Sequence, residues 1–227
     1  MRAFLILLIS IGGLMSNAQA ASFDKNRTAV IFIEFQDEWI GPDAKLRNLL
    51  VKDLQDFNAA VANAETIIKT ARDNNWLIAH AGLDLRHDPG YLIFGGGGDD
   101  KAGLRKAIPN AETWTGDGAK FVEPFVPQSG EFIVKGRSGA SVFKNSTLDA
   151  FLRNNDVNTV ILLGFATHVC VESSMREAHD IGYNVHVVTD ASGAFEKAQS
   201  EYFEQHILHH FGHGISTNEL ITQLSQD

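Results

Sequence analysis

The sequence predicts a three-layer α/β/α fold, in which helices cover both faces of a mostly parallel sheet of six strands. Two observations support this prediction. Short apolar runs rich in β-branched residues alternate along the chain with longer segments whose apolar residues recur at helical spacing. The apolar runs are also nearly continuous, which is typical of strands buried on both faces of a parallel sheet. Because the chain has 227 residues and neither repeats nor an interdomain linker, residues 21–227 are predicted to form one domain.

The first strand is predicted at residues 28–35 (TAVIFIEF), and a helix follows at residues 54–74, where Asn74 and Asn75 close an apolar helical pattern. A second strand is predicted at residues 76–81, and this strand–helix–strand order is typical of Rossmann-like sheets. The further strands are predicted at residues 131–135, 160–163, 184–189 and 214–216, and the further helices at residues 148–154, 170–182, 200–210 and 218–224.

Residues 1–20 have the pattern of a secretory signal. Arg2 precedes a short apolar run at residues 3–15, and residues 18–20 (AQA) form a small-x-small cleavage site. The apolar run is too short to span a bilayer. We therefore expect an exported protein, periplasmic in a Gram-negative cell and otherwise secreted, with no membrane attachment after cleavage. The alternative is an ordinary N-terminal core helix.

The charge and the cysteine count narrow the class of partner. A net charge of −9 argues against nucleic acid and anionic lipid as partners. The chain has one cysteine, Cys170, which cannot form an internal disulfide. It is therefore either a small buried hydrophobic residue or a reactive thiol. The expected partner is a small-molecule substrate.

The periodicity fades between Leu83 and Gly130. Four glycines occupy positions 95–98, and a second flexible patch, WTGDG, covers residues 114–118. A loop region of this length inside a domain is usually a lid or a binding edge, although a disordered insertion is the alternative. No phosphate-binding glycine motif follows a strand, so no nucleotide cofactor is expected.

Three residues at the ends of predicted strands form a candidate catalytic set. The apolar run 160–163 stops at Gly164, and Cys170 then begins a helical pattern, where the helix dipole favours thiolate over thiol. Glu34 could accept the thiol proton, and Lys135 could hold both groups by charge. A thiol activated in this way would react with iodoacetamide well below pH 8.

These residues lie in motifs that resemble the isochorismatase-like cysteine hydrolase superfamily, which includes nicotinamidases and N-carbamoylsarcosine amidases. The motifs are residues 31–36 (IFIEFQ) followed by Trp39, residues 134–143 (VKGRSGASVF), residues 164–172 (GFATHVCVE) and residues 187–192 (VVTDAS). The resemblance implies a six-stranded parallel sheet with Cys170 as nucleophile and Lys135 as the cationic member. It places Glu34 at the carboxylate position, where the family usually has Asp.

The resemblance implies three further properties. A cis peptide bond is expected between Phe165 and Ala166, and it would direct the backbone N–H groups of Ala166 and Cys170 towards an oxyanion. Homo-oligomers are common among relatives and are expected here. The residues that we expect as core or pocket wall are Trp39, Phe143, Phe165 and His168.

No metal site is predicted. Nicotinamidases in the family bind a divalent ion through an Asp-x-His pair and a later His, whereas this chain has Arg86 where the first His would stand after Asp84. Arginine does not ligate cations. His80, Asp84 and His87 could still form an unrelated site, but solvated loop residues are the simpler interpretation. His206, His209, His210 and His213 are expected at the surface or at a subunit contact.

The sequence leaves three hypotheses. The first is hydrolysis of a small amide or carbamoyl compound through a thioester on Cys170. The second is an isochorismatase-type ether hydrolase, which would not depend on the thiol. The third is a non-catalytic binding or assembly protein on the same fold.

Overall fold

The computed structural model describes residues 22–226, so the secretory signal predicted at residues 1–20 lies outside the described residues. The strands are β1 (Thr28–Ile33), β2 (Leu77–Ala81), β3 (Phe132–Ile133), β4 (Thr159–Phe165), β5 (Asn184–Gly193) and β6 (His213–Ile215). The α-helices are α1 (Asp37–Ile40), α2 (Lys45–Leu50), α3 (Leu54–Asp73), α4 (Leu104–Ala111), α5 (Leu148–Asn154), α6 (Glu172–Asp180), α7 (Lys197–Tyr202), α8 (Leu208–Phe211) and α9 (Thr217–Leu224).

All six strands pair in parallel, in the order β3-β2-β1-β4-β5-β6. The predicted fold class is therefore confirmed. β1 and β4 are central neighbours, and the residues of β1 are all buried. Because parallel strands end at the same edge of a sheet, the residues that follow β1, β3 and β4 come together at its carboxyl edge.

The alternation of side chains along the strands divides the core into two layers. On one face, Val30 and Phe32 pack with α3 and α9 residues such as Phe57 and Leu220. On the other face, residues of the same strands pack with α5, α6 and α8. This arrangement is the predicted three-layer architecture. Within the described residues, no helix has the length and the apolar composition that a membrane span requires.

Several boundaries differ from the sequence prediction. β3 keeps only residues 132–133 of the predicted 131–135, although the Val134 N–H still donates to the His80 carbonyl of β2 at 2.9 Å. β5 extends to Gly193, since an irregularity in its pairing with β4 lets Ser192 pair with Gly164. The helix predicted at residues 170–182 begins earlier, with a π-helical turn at Thr167–Val171 that runs into α6.

The region between Leu83 and Gly130, predicted as a lid or binding edge, contains α4 and two short 3₁₀ turns, Leu92–Phe94 and Asp117–Ala119. Gln36 ties this region to β1. Its side-chain amide donates to the carbonyls of Leu83 at 2.9 Å and Ala119 at 2.6 Å, and its oxygen accepts from the Leu83 N–H at 3.0 Å. The region is therefore fixed at both sides against the carboxyl edge of the sheet.

Candidate active site

The ends of β1 and β4 approach each other closely, and this approach depends on a glycine. Gly164 pairs with Ile33, the last residue of β1, and has φ +129°. A Cβ atom at Gly164 would stand 2.1 Å from the Ile33 carbonyl oxygen, which is backbone and cannot move aside. Glycine at this position therefore lets the segments after β1 and β4 lie together.

Glu34 follows β1 directly and is 1% exposed. Its backbone has φ +59°, a left-handed conformation that is uncommon for a residue with a side chain and that concentrates at functional sites. The Glu34 N–H donates to the Ala81 carbonyl at 2.8 Å. The indole Nε1–H of Trp39 donates to Glu34 Oε2 at 2.7 Å, so one carboxylate oxygen is held by α1. Glu34 is thus a buried, oriented carboxylate.

Arg137 supplies the cation beside this carboxylate. Its Nη1 lies 2.6 Å from Glu34 Oε1, and its side chain is 3% exposed. The same guanidinium donates to two carbonyls of its own loop, from Nε to Gly139 at 2.9 Å and from Nη2 to Ala140 at 2.6 Å. The short contact of Nη1 with Glu34 is a buried ion pair, in which the guanidinium is the counterion of the carboxylate.

Lys135 does not lie at the predicted place beside Cys170. Its backbone pairs with Thr147 at the start of α5, and its exposed side chain lines a neighbouring open cleft with Asp84 and Arg86, which Arg137 also borders. Lys135 and Arg137 are two residues apart in the same motif and both are cationic. The motif therefore contains both candidate cations, but its residues alone do not indicate which of the two side chains faces Cys170.

Cys170 lies in the π-helical turn Thr167–Val171, which follows the cis peptide bond between Phe165 and Ala166, as the resemblance implied. The Ala166 carbonyl accepts from the N–H groups of Val169 at 3.0 Å and Val171 at 3.2 Å, which fixes the turn. π-Helical turns are rare and occur frequently at functional sites. The structure thus brings Cys170 to the same place as Glu34 and Arg137.

Burial opposes the thiolate form that the helix position favours. Burial raises the pKa of the Cys170 thiol to about 12; the Glu34 carboxylate adds to this rise, and Arg137 opposes it. For Arg137 itself, burial lowers the pKa, but the charges of Glu34 and Cys170 outweigh burial, and the net direction is upward. Burial and the Glu34 charge thus act on the thiol pKa in the same direction, and Arg137 acts against both.

This arrangement can move a proton without changing the number of buried charges. Before transfer, the charged pair is Glu34 carboxylate and Arg137 guanidinium. After the thiol proton moves to Glu34, the charged pair is Cys170 thiolate and Arg137. Since Arg137 is the counterion in both states, proton transfer does not leave an isolated buried charge, which would be strongly unfavourable.

We expect iodoacetamide to alkylate Cys170 slowly at pH 7.5, about a hundredfold or more below the rate of glutathione, because the reactive thiolate is scarce at a pKa of about 12. The rate should still be rising at pH 10, where a free thiol of pKa about 8.5 has levelled off. Intact mass against time measures this rate, and the urea-unfolded protein is the control. Alkylation of the folded protein at the glutathione rate below pH 8 would contradict the raised pKa.

Glu34, Arg137 and Cys170 all face one cavity of about 190 Å³. Its other walls come from α1, α2, the region between Leu83 and Gly130 that includes α4, the loop after Arg137, the turn that holds Cys170, and Phe195 after β5. These wall residues are Trp39, Leu46, Leu49, Leu50, Leu83, Phe94, Leu104, Ala107, Ile108, Ala111, Trp114, Gly139, Ala140, Ala166, Val169 and Phe195. The predicted binding edge therefore lies over the reactive groups.

Of the four aromatic residues expected as core or wall, Trp39 lines this cavity. Phe143 belongs to the core layer beneath, where its ring lies 5.8 Å from that of Tyr183. Phe165 is fully buried in the other layer and stacks on Phe57 at 4.5 Å. His168 packs edge-on against Phe195 at 4.5 Å and does not border the cavity. Trp39, Phe143 and Phe165 thus lie in the core or the cavity wall, as expected, whereas His168 does not line the pocket.

The residues at the position of the family metal do not fit a metal ion. Both carboxylate oxygens of Asp84 accept from Arg86, at 2.8 and 2.6 Å. His80 is fully buried, and its Nε2 contacts Glu131 at 2.7 Å. Within residues 22–226, no group of three or more His, Cys, Asp and Glu side chains is placed to hold a metal ion. The C-terminal histidines His206, His209, His210 and His213 are exposed.

The three-layer α/β fold thus carries a buried thiol, a carboxylate and a guanidinium on one cavity at the carboxyl edge of its sheet. The chain belongs to the isochorismatase family, because the family described as Isochorismatase domain matches residues 28–219. This match covers every strand and all three residues of the site.

The relatives are consistent with this assignment. An uncharacterized isochorismatase family protein of Bacillus subtilis is 27% identical over 210 residues, which cover 89% of this chain and 97% of that protein. A cysteine hydrolase from Pseudomonas syringae pv. phaseolicola superposes with a TM-score of 0.72 at 26% identity, covering 90% of this chain and 95% of that one. N-carbamoylsarcosine amidase from Thermoplasma acidophilum shares the fold, with a TM-score of 0.61 at 20% identity, over 85% of this chain and 98% of that one.

Proposed function

We propose that this isochorismatase-family protein is an exported hydrolase that cleaves a C–N bond of a small amide or carbamoyl compound through a thioester on Cys170. The observation that carries the proposal is the buried ion pair of Glu34 and Arg137 at 2.6 Å, placed next to Cys170 on one cavity. Glu34 is the general acid and base, and Arg137 is the cationic partner in place of Lys135.

In the first step, Glu34 takes the proton of the Cys170 thiol while sulfur attacks the substrate carbonyl carbon. A C–S bond forms, and the carbonyl π electrons move to oxygen. This direction of proton flow fits a resting thiol rather than a resting thiolate. Arg137 stabilises the sulfur as its negative charge develops.

In the second step, the tetrahedral intermediate collapses, and the C–N bond breaks as protonated Glu34 returns its proton to the leaving nitrogen. Ammonia or an amine departs, and the acyl group stays on sulfur as a thioester. Water then attacks the thioester, with Glu34 again taking a proton. The C–S bond breaks, the acid leaves, and the thiol regains its proton.

The oxyanion of each tetrahedral intermediate is assigned to the backbone N–H groups of Ala166 and Cys170. Both residues border the cavity at the turn that the Ala166 carbonyl holds together. Fixed donors of this kind usually supply the largest single contribution to acyl-transfer catalysis.

Two further parts of the proposal rest on the sequence. Export follows from the leader pattern at residues 1–20, with release to the periplasm or the medium after cleavage. Assembly into homo-oligomers follows from the family resemblance. The acidic net charge of −9 supports a small-molecule substrate over nucleic acid or anionic lipid.

The test is to incubate the protein with small amides and carbamoyl compounds, measure released ammonia, and quench samples in acid for intact mass. We expect ammonia release together with a transient acyl adduct on Cys170, and neither in the Cys170→Ala variant. Full ammonia release by Cys170→Ala would overturn the nucleophile assignment. Thiol-independent cleavage of an ether substrate, with every amide inert, would indicate the ether-hydrolase alternative instead.

A further inference from the structure

The cavity over Cys170 contains two charged side chains, and they neutralise each other. Among the described residues that line it, Glu34 and Arg137 carry charge, and their ion pair is 2.6 Å long. Two of the three guanidinium nitrogens are already bound to the carbonyls of Gly139 and Ala140. No cation in this lining is therefore left to neutralise a carboxylate on a substrate.

The wall that faces the reactive groups is almost entirely hydrocarbon. α2 contributes Leu46, Leu49 and Leu50, and α4 contributes a face that includes Leu104 and Ile108. Placing an unpaired charge against such a wall removes its hydration without replacing it, which is unfavourable. An apolar group against the same wall is stabilised instead, because its apolar surface is removed from water.

The size of the cavity sets a second limit. About 190 Å³ is below the range of roughly 300–1,000 Å³ that is usual for sites that bind drug-sized ligands. An engineered cavity of about 150 Å³ lined by Leu, Ile and Phe binds benzene. A group about as large as one ring or a branched chain of a few carbons therefore fits beside the thiol.

We propose, on the basis of the proposed function, that the substrate is a neutral small amide whose acyl group is apolar, and that the site rejects amides carrying a carboxylate. The acyl group would lie between α2 and α4, with its carbonyl carbon at Cys170. Leu49, at the cavity and 67% exposed, stands where a bound group meets solvent.

The test uses a pair of amides with equal numbers of heavy atoms, 4-methylpentanamide and succinamate, which differ in an isopropyl group against a carboxylate. We expect kcat/KM to favour 4-methylpentanamide by about a hundredfold or more. A ratio near one, or one that favours succinamate, overturns the proposed substrate class and leaves the C–N hydrolase proposal in place.

Binding to the Cys170→Ala variant, measured by calorimetry, separates recognition from turnover. Binding of 4-methylpentanamide but not of succinamate supports apolar recognition even where the wild-type protein hydrolyses neither amide, an outcome that overturns the proposed function alone. Failure of Cys170→Ala to bind 4-methylpentanamide, together with no turnover by the wild type, overturns both proposals.

A cation placed at the cavity mouth tests where the acyl group lies, and a second leucine variant is its matched control. Leu49→Arg should lower the ratio of kcat/KM for 4-methylpentanamide to kcat/KM for succinamate by about tenfold or more. Leu54→Arg changes another exposed leucine, 50% exposed and outside the cavity lining, and should leave the ratio unchanged. Equal effects of the two variants would contradict the placement of the acyl group beside α2.

Discussion

Arg137→Met should reduce hydrolysis by about a thousandfold, whereas Lys135→Met should change it by less than about threefold. Arg137 is the counterion of Glu34 before proton transfer and of Cys170 after it, so its loss leaves an unpaired buried charge in both states. Loss of one preorganised electrostatic group in an active site typically costs about 10²–10³ in kcat. Lys135 is exposed and outside the cavity of Cys170. The measurement is kcat/KM on the best amide from the screen.

A folding defect must be separated from a catalytic one. Arg137→Met should also lower stability, by about 3–5 kcal/mol if Glu34 stays ionised, because breaking a buried pair strands the partner. Thermal unfolding of both variants measures this. Arg137→Lys keeps the charge but loses the two bonds to Gly139 and Ala140, and should recover part of the activity. A Lys135→Met variant as inactive as Arg137→Met would restore Lys135 as the catalytic cation.

Glu34→Gln should have opposite effects on catalysis and on alkylation. Hydrolysis should fall by about a thousandfold, since a positioned acid–base group contributes about 10²–10⁴. Alkylation of Cys170 by iodoacetamide should become faster, because the Glu34 charge contributes to the raised pKa of the thiol, while Arg137 remains beside it and lowers that pKa. Measured between pH 7 and pH 10, the alkylation profile should shift to lower pH as the thiol pKa falls.

The matched control is Glu38→Gln, at a carboxylate that is 5% exposed and accepts from the Trp114 backbone N–H at 3.0 Å. Glu38 does not act on the thiol, so its variant should leave the alkylation profile unchanged. Slower alkylation of Glu34→Gln than of the wild type would contradict the proposed electrostatic role. A purely structural role for Glu34 predicts parallel changes in Glu34→Gln and Glu38→Gln.

The fold was readable from the sequence because parallel strands buried on both faces leave a strong signal. β1 is buried at every position, and its TAVIFI run could not serve as a helix or an exposed strand. The boundaries of β3 and β5 were less predictable. β3 is two residues long, and the extension of β5 to Gly193 depends on an irregular pairing with β4, a tertiary effect without a local pattern.

The site was only partly readable. Glu34 and Cys170 each end a strand-like run, so their convergence follows from the parallel topology. Arg137 was missed because it lies in an irregular loop, where its direction is set by bonds to Gly139 and Ala140 rather than by strand alternation. The thiol pKa was misjudged for a related reason. Burial dominates it, and that burial comes from a core layer shared with distant residues such as Ile31 and Phe143, which nothing near Cys170 in the sequence reveals.

The choice of a guanidinium as the site's cation has a consequence for alkaline conditions. An ammonium group in a buried site can release its proton and leave its partner without a counterion, whereas a guanidinium stays charged at every pH that a protein survives. Under the proposed export, where no cytoplasmic buffer holds the pH steady, the site would keep its internal charge balance as the surroundings become basic.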